Sequence, residues 1–307
     1  FNVTDALSTT LNCSLYIDGT INQTNSSVAN ATTTQFNISS FAEGTHTWYI
    51  QCKDAANNTN NTETRTILTD RTAPTTTNNA PGVWTPNNVS ITLTASDVNG
   101  ALTVSGVNKT YYCNDTTNTC NPTTEYTVPI NFSSEGINYL RYYSSDNATN
   151  NETINSINIS IDRTVPATLI EGPANNTKTN NNPVNITFNV TDALSTTLNC
   201  SLYIDGTINQ TNSSVANATT SLFQITSFAE GEHTWYLNCT DSANNSNTTE
   251  SRTILADRTA PTTTDDASSG WINYTPYPSI NLTRNDSNGV LNVSGISVIN
   301  GSIAALG

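Results

Sequence analysis

Methionine is absent from this chain, histidine occurs twice, and Lys and Arg together number only ten. Those ten face 24 Asp and Glu, for a net charge of -14. That sign excludes a nucleic-acid-binding domain, which needs a basic footprint to neutralise phosphates. Ala, Leu, Glu and Lys are scarce beside Thr and Asn, which argues against a helical bundle. No run of about 18 apolar residues occurs, so no membrane insertion is expected within this segment. Nor does a basic stretch followed by an apolar one open it, so it does not read as beginning with a signal peptide. Apolar residues make up only 35% of the chain, low enough to raise the question of disorder.

Asn, Thr and Ser take the vacated share, about 44% of positions. The apolar residues among them are patterned. Phe188-Asn189-Val190-Thr191 and the run from Leu198 to Ile204 alternate apolar and polar, as half-buried strands do. Small antiparallel domains can fold on that pattern, especially with disulfides to help. At roughly 100 residues per domain, 307 residues suggest three domains or slightly more.

A repeat sets the organisation. The stretch FNVTDALSTTLNCSLYIDGTINQTNSSVANATT occurs identically at Phe1 and at Phe188. A different unit lies between the copies, and its opening half recurs after the second copy. We therefore divide the chain into domain A (1–74, its first strand incomplete), domain B (75–166), a second A (167–261) and a partial B′ (262–307). Both ends fall inside units, so the segment reads as a window on a longer tandem array. The alternative is a protomer whose incomplete domains are finished head-to-tail by its neighbours.

Within A, strands are expected at 184–190, 198–204, 223–225, 233–239 and 251–255, and within B at 89–95, 109–113, 126–132, 138–143 and 157–161. Turn-forming Asp, Gly and Asn separate them, and no segment carries a helical period. The fold class is therefore all-β, a series of sandwiches. The motifs CSLYIDG, EGTHTWYIQCKDAANN and DRTAP resemble the Ig-like, fibronectin III-like repeats common in archaeal and bacterial surface proteins. GVWTPNNVSITLTASD, SSEGINYLRYYSSDNATN and INISIDRTVP resemble a second Ig-like repeat of that kind. The resemblance implies tandem Ig-like domains in a cell-surface setting. In the family's D-x-A-G-N turn, Asn57, Asn244 and Thr149 here stand at the glycine position or beside it.

Six cysteines allow fifteen pairings. Cys13 shares a strand face with Leu11, Leu15 and Ile17, and Cys52 shares one with Trp48 and Ile50, so both point into one core. The repeat and the domain limits favour Cys13–Cys52, Cys113–Cys120 and Cys200–Cys239. A zinc site fails for want of a C-x-x-C or a nearby histidine. Disulfides imply an oxidising compartment outside the cell.

About thirty N-x-[ST] sequons occur, against roughly thirteen expected from composition. Candidate glycan carriers are Asn2, Asn12, Asn22, Asn30, Asn37, Asn57, Asn88, Asn108, Asn114, Asn131 and Asn147. To these are added Asn158, Asn175, Asn185, Asn189, Asn199, Asn217, Asn238, Asn244, Asn273, Asn281 and Asn292. Many read Asn–apolar–Ser/Thr, which in a strand turns the middle residue inward and the acceptor Asn outward.

No nucleophile elbow, P-loop, HExxH or glycine-rich phosphate loop is present, and no enzyme is expected here. His46 and His233 occupy equivalent strand positions with no partner signalled by spacing. Tyr111, Tyr112, Tyr142 and Tyr143 form doublets, each with one outward ring. Asp54, Asp70, Asp146, Asp162, Asp241 and Asp257 recur in D-x-A-x-N turns and DRT linkers, where calcium is the ligand their chemistry suggests. Asp and Asn are equally the ordinary residues of turns. The reading is a glycosylated, disulfide-bonded structural array: an extracellular fibre, stalk or filament, self-associating or covalently continued, with no other cofactor. Its competitors are an adhesin, and S-layer or spacer domains of a larger surface protein.

Overall fold

The computed structural model describes residues 1–265, apart from 101, 103 and 227, together with the strands Leu282–Asn285, Ile296–Ile299 and Ser302–Ala305. Asn273, Asn281 and Asn292 lie outside the described residues. The chain forms two compact units, Phe1–Asp162 and Arg163–Gly307. No helix occurs among the described residues.

The first unit opens with β1 (Thr10–Ile17), β2 (Thr20–Ala29), β3 (Gly44–Lys53), β4 (Thr59–Asn61) and β5 (Arg65–Thr69). They form one sheet in the order β2-β1-β3-β4, with β5 also paired to β3. The β1–β2 hairpin turns on Asp18-Gly19, with φ of 48° and 76°. Two-residue hairpin loops need positive φ at both positions, and Asp-Gly supplies it at low cost. The alternation rule does not reveal β2, because its sequence TINQTNSSVA buries only Val28. It forms because the turn returns the chain alongside β1. Leu11, Cys13, Leu15, Ile50 and Cys52 supply the inner face.

The same unit continues with β6 (Thr75–Asn78), β7 (Val89–Ile91), β8 (Leu93–Ser96), β9 (Val107–Asp115), β10 (Thr124–Glu125), β11 (Ile130–Phe132), β12 (Gly136–Asp146) and β13 (Asn155–Ile161). The main sheet runs β10-β9-β12-β13, and β7 pairs β11 while β6 pairs β8. The expected single strand 89–95 is thus divided at Thr92, its halves serving different partners. The expected strand 126–132 keeps only its last three residues. Pro129, which has no N–H for a ladder, stands just ahead of them. Ile91, Phe132, Leu140, Tyr142, Ile159 and Ile161 form the core.

The second unit contains β14 (Ala167–Gly172), β15 (Thr177–Thr179), β16 (Val184–Thr191), β17 (Thr197–Ile204), β18 (Thr207–Ala216), β19 (Thr220–Ile225), β20 (Gly231–Thr240), β21 (Ser246–Thr248) and β22 (Arg252–Ala256). Two sheets, β14-β16-β19 and β15-β22-β20-β17-β18, contribute to a single core that includes Phe188, Leu202, Trp235 and Ile254. β15 joins β22 in parallel, and the other strand pairs of this sandwich are antiparallel. Thr262–Asp265 then pairs with Leu282–Asn285, and Ile296–Ile299 with Ser302–Ala305.

Candidate functional sites

Cys13 faces Cys52 directly across β1 and β3, and Cys200 faces Cys239 across β17 and β20. Both pairs are bonded, with Cα atoms 4.0 and 4.1 Å apart. Cys113 and Cys120 close a loop at the end of β9. Asp115 organises that loop, accepting hydrogen bonds from the backbone N–H groups of Asn118, Thr119 and Cys120 at 2.8, 2.9 and 2.9 Å. These donors, Thr119 foremost, hold its carboxyl well below the usual carboxylate range.

The sequon asparagines divide by environment. Asn2, Asn12, Asn22, Asn37, Asn57, Asn88, Asn108, Asn114, Asn131, Asn158, Asn175, Asn185, Asn199 and Asn244 are exposed. Asn147 is exposed too, yet its Nδ2 donates to the carbonyls of Ser105 and Gly106 at 2.9 and 3.1 Å. Asn189 and Asn238 are half-buried. Asn30 and Asn217 fasten loops. The Asn30 amide donates to the carbonyls of Asp5 and Ser8, and Asn217 does the same for Asp192 and Ser195. Both Nδ2 hydrogens are thereby used.

The aspartates of the D-x-A-x-N turns hold their own loops. Asp54 accepts from the Asn58 main-chain and side-chain amides, Asp146 from those of Asn150, and Asp241 from those of Asn245, all at 2.7–2.8 Å. Asn57, Thr149 and Asn244 take φ of 71°, 73° and 69°, the left-handed conformation that glycine supplies in the resembled turn. Of the other singled-out acids, Asp257 accepts the Thr259 N–H at 3.2 Å, and Asp162 is buried with its N–H on the Thr85 carbonyl. Asp70 and Asp146 come together, and Asp97 joins them, a residue the motif search passed over. It follows β8 in a TASD stretch that matches neither the turn nor the linker pattern.

His46 Nδ1 lies 2.7 Å from Asp18 Oδ2, and its Nε2 lies 3.0 Å from the Ala42 carbonyl. His233 is held likewise by Asp205 and Ala229. Protein acceptors thus occupy both ring nitrogens of each histidine. Sequence reading missed these partners because the acid stands 28 residues upstream, in the Asp-Gly turn of the neighbouring hairpin. Tyr142 is buried and Tyr112 packs against the core, while Tyr111 and Tyr143 stack across β9 and β12 at 5.4 Å. Tyr16–Tyr49 and Tyr203–Tyr236 stack in the same cross-strand manner at 4.7 Å.

In the second A repeat, β14 and β15 come ahead of the repeat and pack onto it. The Pro173 carbonyl accepts from the Arg252 guanidinium, and Asn175 accepts from the Thr253 N–H at 2.8 Å. Ile254 of β22 is fully buried in that core.

The sequence family described as bacterial Ig-like domain (group 3) matches residues 30–98, from the first repeat into domain B. No curated protein matches the chain. Among solved structures it is similar to fibronectin(III)-like modules of Clostridium thermocellum CbhA, at 17% identity and TM-score 0.35, covering 60% of this chain and 94% of that one. It is similar also to the D00-D0 domain of intimin (8%, TM-score 0.28, 59% and 100%) and to the BSP domain of a biofilm-associated protein (13%, TM-score 0.24, 70% and 42%). The sheets built on a repeated sequence, with an Ig-like family match over residues 30–98, are consistent with tandem Ig-like repeats and an all-β fold.

Proposed function

We propose that the chain is a run of structural modules from an N-glycosylated extracellular fibre, stalk or filament on a microbial surface, archaeal in type. The observation that carries this reading is the succession of disulfide-bonded sheet units with sequon asparagines exposed along their strands. In the second A repeat, β14 and β15, chain that arrives ahead of the repeat, complete the sandwich, an arrangement suited to modules in series. Disulfides and an acidic, hydroxyl-rich surface suit an oxidising exterior.

Sugars belong on exposed asparagines in strands or at their edges, such as Asn131 in β11, Asn158 in β13 and Asn88 just ahead of β7. We place none on Asn30 or Asn217, whose amide hydrogens already hold loops. Immuno-electron microscopy of the native surface, with glycopeptide mapping of the same material, tests both parts. Labelled linear projections carrying sugar at Asn88 and Asn158 are expected. Labelling inside the cell, or compact monodisperse particles, overturns the structural reading; bare strand sequons overturn the glycan part.

A further inference from the structure

Three strand ends of the first unit deliver carboxylates to one place. Asp70 follows β5, Asp97 follows β8, and Asp146 closes β12. One oxygen of each lies within 4.8 Å of the other two. All three residues are buried; Asp97 is 8% exposed. Protein donors serve most of the oxygens. Asp146 takes the two Asn150 amides, and Asp70 takes the N–H groups of Ser105 and Thr72 at 2.6 and 3.1 Å. Asp97 Oδ2 accepts from the Gly106 N–H at 2.7 Å. Asp97 Oδ1 is buried and receives no hydrogen bond.

An undonated carboxylate oxygen in a buried site is costly, and like charges this close raise the cost. Arg71, the basic residue next to Asp70, places its guanidinium on the Phe41 carbonyl instead. A bound cation would satisfy Asp97 Oδ1 and offset the three neighbouring charges.

We propose that Asp70, Asp97 and Asp146 bind a calcium ion where domain A meets domain B in the first unit. Two oxygens each about 2.4 Å from one cation are at most about 4.8 Å apart, so the spacing admits a shared ion. The donors are all oxygen, which selects a hard cation over zinc or copper. Ligands drawn from three separate strand ends suit the irregular, many-ligand shell of calcium better than the strict octahedron of magnesium. Asp70 follows the last strand of domain A, and Asp97 and Asp146 belong to domain B. The ion ties the two together where the Asn150 amide already reaches the Asp70 carbonyl at 3.0 Å. This holds whether the chain serves as a fibre or as anything else exposed to millimolar calcium.

The test is calorimetric titration of the full chain with calcium chloride, and thermal unfolding in calcium, magnesium and EDTA, for the wild type, Asp97→Asn and Asp54→Asn. Asn preserves the shape of Asp97 and removes its charge. One equivalent of calcium should bind with Kd on the order of 10⁻⁴ to 10⁻³ M, as in extracellular modules. Asp97→Asn should lose that equivalent or weaken it at least tenfold, and Asp54→Asn should retain it. Stability should cross over: Asp97→Asn at least as stable as wild type in EDTA, and less stable in calcium. A purely structural Asp97 makes the variant weaker in both. That result, no calcium-dependent shift in the wild type, or an undiminished shift in Asp97→Asn overturns the proposal.

Discussion

Asp18 ends a strand, begins a turn and holds a histidine 28 residues away. Both nitrogens of His46 face acceptors, the Asp18 carboxylate and the Ala42 carbonyl, so both hydrogen bonds exist only while the ring is protonated. The hydrogen bond to Asp18 raises His46 above the ordinary histidine value, and the same bond lowers Asp18 below the ordinary carboxylate value. The histidine's contribution to stability is complete below the ordinary histidine pKa and is lost as pH rises through its raised one. The aspartate's is complete above the ordinary carboxylate pKa and is lost as pH falls through its lowered one. The pair therefore supports the hairpin from mild acid to near neutrality and releases it on either side. NMR titration of the His46 ring should give a pKa above the free value, and His46→Gln should flatten the stability decline on the alkaline side. A ring titrating at or below the free value contradicts the pairing.

At the scale of strands and loops, the bridges differ in the chain they close. Cys13–Cys52 and Cys200–Cys239 each span 39 residues, and Cys113–Cys120 spans 7. On chain-entropy grounds the longer closures stabilise by about 4 kcal/mol each and the shorter by about 2.5 kcal/mol. Reduction should thus weaken both A repeats more than domain B, and hydrogen exchange under dithiothreitol should show β1, β3, β17 and β20 losing protection before β9 and β12. Equal loss across all domains counts against it. Strand legibility followed burial. β17 and β20 alternate cleanly, and the expected 198–204 and 233–239 fall nearly at their limits. β2 and β18 are polar along almost their whole length, and the Asp-Gly turn is their only signal.

At the scale of the whole molecule, β14 and β15 bring chain from ahead of the second A repeat onto it. Ile254 of β22 is fully buried in the resulting core, with Thr177 of β15 its partner across the sheet. Ile254→Ala should cost about 2–5 kcal/mol, as a buried truncation does. Chemical denaturation of the variant measures the loss, and a cost under about 1 kcal/mol contradicts the packing of β22 in this core.

Composition, alternation and an exact repeat were enough to specify an all-β chain of tandem sandwiches, because both strand period and duplication are properties of the linear chain. The partner of Cys13 was readable for the same reason, since each copy carries its own pair. Asp97 as the third acid beside Asp70 and Asp146, Asp18 as the partner of His46, and the loop-holding work of Asn30 were not readable. Each depends on which distant strand ends or turns meet, and no local spacing encodes that. The division of 89–95 between two sheets was likewise settled by partners found only on folding. Duplication made the two A repeats alike in sequence; that β14 and β15 pack onto the second, one antiparallel to β16 and one parallel to β22, was decided by strand pairing on folding.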